Sequence, residues 1–370
     1  GRLATIIAVN TLPPARTTRP PSDAPIRQIA AGEVIERPAA VVRDLLDRPA
    51  ADPELLAARR HAHSDGPIAA VLDAMAPEGY WAEPGPGYLP KYRSTVWSVI
   101  LLAQLGARVE EDQRIGRACA YLLEHALAPG GQWASATAPS GTVDCLQGNL
   151  CWALPALGCD DPRLERAFDW MARTVTGEGM ASKEERDASV RYYAGKCGPD
   201  FACGANNGLP CAWGAAKVML AFAGWPAGRR TPLMERAIEQ GVAFLLGVDP
   251  ATAAYPTGYA DKPSGNWWKF GFPVFYVTDL LQIIEALVAL GYGDEPRLAG
   301  ALDLAAGQAD AAGRWPLEYD YAGKLWPGVD FGVKKHPNKW VTIRAWRALA
   351  VTQAFLPVSG STSFAAATLP

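Results

Sequence analysis

Between the two ends of the chain, apolar residues recur in three- and four-residue steps over segments of about 12 to 18 residues. Val99, Leu102 and Leu105 make one such series, and Leu280, Ile283, Ile284 and Leu287 another. That period places them on one face of an α-helix, so the body of the protein is predicted to be helical with almost no strand. The ends lack it. Pro13, Pro14, Pro20, Pro21 and Pro25 interrupt residues 1–25, which predicts a flexible arm. Residues 26–67 read as a helical lead-in, 68–356 as the main domain, and 357–370, with Ser359, Ser361 and Ser363 between two prolines, as a loose tail.

The predicted helices belong to a repeating module: an apolar helix, a turn with Asp and Pro, an amphipathic helix, then a Gly-aromatic loop. CLQGNLCWALPALG is followed by CDDPRLERAFDWMART, where Asp160 or Asp161 is placed to cap and Pro162 to take the first helical position. FPVFYVTDLLQIIEALVALG is followed in the same way by GDEPRLAGALDLAAGQ. The loops Gly79-Tyr80-Trp81, Gly130-Gly131-Gln132-Trp133 and Ala312-Gly313-Arg314-Trp315 end the amphipathic helices. Trp81 and Trp133 are about 50 residues apart, a period that indicates an array of stacked helix pairs.

This rhythm, the Gly-x-Trp loops and the closing KWVTIRAWRAL resemble the prenyltransferase and squalene-cyclase repeat superfamily over roughly residues 68–350. The resemblance implies an all-α fold, an α/α toroid of about five to six helix pairs, with inner helices lining a central cavity. Residues 91–105, 145–157, 208–223, 273–290 and 338–352 are then the inner helices. It further implies a terpenoid-cyclase-like or prenyltransferase-like protein that holds an apolar, isoprenoid ligand centrally, its reaction unassigned. The alternative is a non-catalytic helical-repeat scaffold or binding protein whose centre is filled by its own side chains.

A second, shorter stretch, IRQIAAGEVIERPAAVVRDLLD at residues 26–47, resembles the first helix region of the MutL mismatch-repair ATPases. In that family a Glu-Asn-Ser-x-Asp-Ala motif follows and serves the nucleotide. Here Asp47-Arg48-Pro49-Ala50 stands instead, and no glycine-rich lid motif comes later. A mismatch-repair-related module is therefore the weakest functional reading.

Composition narrows the picture further. Of 370 residues 49% are apolar, and the net charge is −3, so no basic stripe suited to a phosphate backbone is evident and no nucleic-acid partner is expected. The longest apolar runs, such as Trp97 to Leu105, are about half the ~20 residues of a membrane span. Seven irregularly spaced cysteines suit free thiols in a reducing cytoplasm.

Candidate chemistry is sparse. Trp97, Trp152, Trp213, Tyr276 and Trp340 fall early in the proposed inner helices and are expected to form an aromatic ring at one end of the cavity, suited to an isoprenoid or to cations, or else to wedge between helix layers as packing. The acid motif of the cyclases, Asp-x-Asp-Asp, is absent, and Asp160-Asp161 lacks the third Asp of a magnesium cluster. The catalytic candidates are Asp279, set within an apolar helix, and Glu318 and Asp320 in the loop WPLEYDYAG. A carboxylate among Val277, Leu280 and Leu281 has to be paired, protonated or turned into a polar cavity; Lys269 and Arg344 are the candidate partners. Lys339, with Asp279 or Glu318, is a candidate for orienting a polar head group. Asp144, Cys145, Cys197, Cys203, Cys211 and His336 raise the question of zinc, but their spacing matches no standard site, so neither metal nor cofactor is expected. His61 and His63 are expected in solvent. No GxSxG, HExxH or phosphate-binding glycine loop is present.

Overall fold

A computed structural model describes residues 51–349. The arm 1–25, the MutL-like stretch 26–47 and the tail 357–370 lie outside the described residues. Eleven α-helices are found among the described residues: α1 (Pro53–Ser64), α2 (Pro67–Asp73), α3 (Thr95–Leu105), α4 (Gln113–His125), α5 (Asp144–Ala156), α6 (Arg163–Thr176), α7 (Ala212–Gly224), α8 (Pro232–Leu245), α9 (Leu280–Ala289), α10 (Ala299–Gly307) and α11 (Lys339–Leu349). Strand pairing within this range is limited to isolated bridges.

The helices alternate between two layers. Each of α3, α5, α7 and α9 packs on the next odd-numbered helix, ending at α11, while α2, α4, α6, α8 and α10 lie outside them. The described residues thus form an α/α toroid of five helix pairs. Sequence explains the assignment. Every residue of α3 except Gln104 is buried, as expected of a helix enclosed on all sides, whereas α4 buries Ile115, Ala118, Cys119 and Leu122 and exposes Arg117 and Glu124.

The Trp81 and Trp315 loops clamp an outer helix to the following inner one. The indole of Trp81 donates to Val71 O on α2 at 2.7 Å, while its backbone amide donates to Thr95 Oγ1, the first residue of α3, at 3.1 Å. Trp315 repeats this arrangement with Ala305 O on α10 and Thr342 Oγ1 on α11, at 2.7 and 2.9 Å. In the Trp133 loop Gln147 Oε1 takes the hydroxyl's place, at 2.9 Å. The glycine two residues earlier is required. Gly131 has φ +103°, and a Cβ there would lie 2.1 Å from Arg166 O on α6.

The two ends of the toroid differ. Short connections, 106–112, 157–162 and 225–231, leave the C-terminal ends of the inner helices. Long segments, 126–143, 177–211, 246–279 and 308–338, lead to their N-terminal ends and fill that side. Gln104 closes the ring, bonding the Val274 backbone through both Nε2 (2.6 Å) and Oε1 (2.8 Å), and Trp326 Nε1 donates to Ser98 Oγ at 3.0 Å.

Two expectations need correction here. Residues 273–279 are not helical: Pro273 opens the segment, and Asp279 is the N-cap of α9, its Oδ1 accepting from Gln282 N at 2.9 Å. His63 is buried rather than in solvent, because its Nδ1 contacts Arg59 O at 2.7 Å and its Nε2 accepts from Arg108 N at 3.3 Å; this bond ties α1 to the body.

Candidate functional site

The five inner helices enclose a cavity of about 500 Å³. It lies toward their C-terminal ends, since its lining comes largely from their second halves: Ala103 and Gln104 on α3, Trp152 on α5, Leu220 on α7, Val288 and Ala289 on α9, Arg347 and Ala348 on α11. Phe272 and Val274, from the segment before α9, line it as well. The lining divides chemically. Trp152, Leu220, Phe272, Val274 and Val288 are apolar, whereas Gln104, Asn149, Gln282, Glu285, Arg344 and Arg347 are polar or charged.

Arg344 organises the charged part. Its Nη1 and Nη2 grip Asp279 Oδ2 and Oδ1 at 2.9 and 3.0 Å, its Nε and Nη2 meet Glu285 Oε1 and Oε2 at 3.1 and 2.7 Å, and Nη1 also donates to Gly271 O at 2.7 Å. Asp279 accepts two further bonds, from Gln282 N and Gly271 N, so both of its oxygens are saturated. Glu285 is different, for it lines the cavity. Burial pushes its carboxyl above the ordinary range, and the adjacent Arg344 opposes that rise.

Beneath this wall lies Lys217, only 1% exposed. Its ammonium donates to Trp213 O (3.3 Å), Tyr276 O (3.2 Å), Gln282 Oε1 (3.2 Å) and Thr278 Oγ1. Four oxygen acceptors replace water around a charge that burial disfavours, and the same burial lowers its pKa. Through Gln282, Lys217 supports the polar wall from behind.

The aromatic residues singled out in the sequence are dispersed. Trp152 lines the cavity. Trp97 is buried in the plug at the opposite end, its centroid 5.0 Å from Tyr276 and 5.3 Å from Phe275, and its Nε1 bonded to Tyr88 O. Tyr276 precedes α9 instead of lying within it. Trp213 packs edge-on to Trp267 at 6.4 Å. Trp340 stacks at 5.0 Å on Phe272, one ring removed from the cavity, and Lys339 lies over the Trp340 ring. Trp152, Trp213 and Trp340 therefore do not converge into one aromatic ring: Trp152 lies in the second half of α5, whereas Trp213 and Trp340 are the second residues of α7 and α11. Glu318 and Asp320 also belong to that end. Asp320 pairs with Lys334 at 3.0 Å, and neither acid lines the cavity.

Sequence reasoning missed Gln104, Asn149, Phe272, Gln282, Glu285 and Arg347. A signal was available for two of them: Gln282 and Glu285 are polar at i and i+3 in an otherwise apolar helix, which places both on one face. Among the described residues no group of three or more His, Cys, Asp or Glu is arranged to hold a metal ion, and no helix is long and apolar enough to cross a membrane.

No family model matches the sequence, and no curated protein matches it. Solved structures of a type II terpene cyclase, MstE from Scytonema, align with 80% of this chain. The apo enzyme does so at 16% identity and a TM-score of 0.31, over 97% of its own length. A variant with merosterolic acid A, its product, gives 15% and 0.33 over 96%, and one with geranylgeranyl dihydroxybenzoate, its substrate, 15% and 0.32 over 96%.

Proposed function

We propose that this protein is terpenoid-cyclase-like or prenyltransferase-like and binds an apolar, isoprenoid ligand in its central cavity. The observation that carries the reading is the cavity itself. About 500 Å³ lies within the range of small-molecule pockets, and a few convergent polar groups in a mostly apolar lining are what such sites use to fix orientation. A scaffold filled by its own side chains would leave no such space. The hydrocarbon part of the ligand lies against Trp152, Leu220, Phe272, Val274 and Val288, and a polar end faces Gln282, Glu285 and Arg347.

The acids enter this reading unequally. Asp279 acts through Arg344 and is a positioning residue. Glu285 is the carboxyl on the lining and the group best placed to meet a polar head. Glu318 and Asp320, on the plugged side, have no assigned part in binding.

Titrating the full chain with farnesol and geranylgeraniol while following tryptophan fluorescence tests the proposal. A saturable change that disappears in Trp152→Phe is expected. The absence of saturation with both alcohols, together with no retained lipid in native mass spectra, would sink it.

A further inference from the structure

Away from the cavity, four of the seven cysteines lie at the N-terminal ends of α5 and α7 or in the loop between α6 and α7. Cys203 and Cys211 stand apart from the rest by their arrangement. They straddle the antiparallel bridge between Ala202 and Pro210, with Cys203 N donating to Leu209 O at 3.1 Å and Cys211 N donating to Phe201 O at 3.0 Å. Both lie one residue from the bridge, so their side chains emerge on the same face of the paired segment. The two thiols are close enough to shift one another's ionisation.

The two sulfurs differ in surroundings. Cys211 is the N-cap of α7, a 13-residue helix, though its sulfur makes no capping hydrogen bond to that helix. Buried Lys217 lies within electrostatic reach. The neighbouring Cys203 thiol, with Lys217, favours a thiolate and holds the Cys211 pKa below that of an ordinary thiol, while the Cys211 thiolate and burial drive Cys203 upward. Facing them from α5 are Asp144, whose Oδ2 is buried without a hydrogen-bond partner, and Cys145, with Cys197 and Tyr192 nearby. Burial raises the pKa of each of these four groups. Access also differs, since Cys211 is partly exposed and Cys203 is buried.

We propose that Cys203 and Cys211 form a reversible dithiol–disulfide site that exchanges with low-molecular-weight disulfides, Cys211 attacking and Cys203 resolving. The Cys211 thiolate forms a bond to one sulfur of the small disulfide, whose S–S bond breaks and releases one thiolate. That thiolate takes up a proton. Cys203 then gives its proton to solvent and attacks the Cys211 sulfur, releasing the second small thiolate. Two protein thiols are oxidised, one small disulfide is reduced to two thiols, and no further reactant is needed. The product ties the loop ahead of α7 to the first turn of that helix.

A second pair tests selectivity. Cys119 on α4 and Cys159 in the α5–α6 connection likewise shift one another's ionisation, with Arg163 in electrostatic reach of Cys159, but neither of them is a helix N-cap.

The experiment exposes the reduced full chain to oxidised glutathione near pH 7.5, blocks remaining thiols and maps the peptides. A Cys203–Cys211 cross-link that dithiothreitol reverses is expected. Cys203→Ser should accumulate glutathione on Cys211, and Cys211→Ser should give neither cross-link nor adduct at Cys203. In the wild type, which needs no variant to fold, alkylation of Cys211 should follow a pH profile centred at least one unit below the ~8.5 of a free thiol. A Cys211 that stays reduced while Cys159 reacts, or a profile centred at or above that of a free thiol, would overturn the proposal.

Discussion

Arg344 holds Asp279 by both ends of its guanidinium, Nη1 to Oδ2 at 2.9 Å and Nη2 to Oδ1 at 3.0 Å. Asp279 caps α9 and Arg344 lies on α11, so one planar fork joins the start of one inner helix to the middle of the next. Both groups are almost wholly buried. Removing one partner strands the other's charge, which costs about 3–5 kcal/mol. Arg344→Ala is expected to lose about that much in urea unfolding, and Asp279→Asn less, since the amide still caps the helix.

Glu285 makes stability depend on pH. Its folded pKa is raised above the ordinary 4.5, mainly by burial, so between 4.5 and the folded value the native state keeps a proton that the unfolded chain has lost. In that window stability falls as pH rises, and the contribution is complete below 4.5. Chemical unfolding of the wild type and Glu285→Gln from pH 4.5 to 7 checks this. The wild type should lose stability relative to the variant as pH increases; a constant difference between them contradicts the linkage.

Trp152 and Trp133 should separate binding from folding. Trp133 is fully buried behind its loop, and its truncation to Ala should cost about 3–5 kcal/mol. Trp152 is only half-buried and faces the cavity. Trp152→Ala should lose isoprenoid affinity while its melting temperature falls by less than that of Trp133→Ala.

Gly131 and Gly116 should respond oppositely to alanine. At Gly131 a methyl group meets the Arg166 carbonyl and φ is +103°; strain of this kind costs about 1–3 kcal/mol. Gly116 lies inside α4 with open space around it, where alanine is worth about 0.5–1 kcal/mol. Thermal unfolding of the two variants should shift in opposite directions.

Much of the architecture was legible along the chain. The Gly-x-Trp loops marked where outer helices end, and the apolar period placed the five inner helices, with α9 beginning later than expected. The error at α9 is instructive. Asp279 reads as a polar interruption of an apolar run, but an Asp whose oxygen accepts from an amide three residues on marks a helix start, and Pro273 upstream agrees with it. The candidate site was less legible. Trp152 was identified on its residue type, whereas Glu285 and Gln282 were overlooked within a run of aliphatic residues.

What the sequence determined by itself was the helical class, the alternation of enclosed and half-exposed helices, and the positions of the Trp clamps. Each depends on contacts within one or two helical turns or across one loop, and such contacts leave a short period in the residue order. Only the tertiary structure decided which end of the toroid is filled, which face of each inner helix meets the cavity, and that Arg344 rather than Lys269 pairs with Asp279. Those outcomes join residues far apart in the chain, as in the Gln104 side chain bonded to the Val274 backbone. Closing the ring brings them together, and no local periodicity records where a closed ring places its side chains.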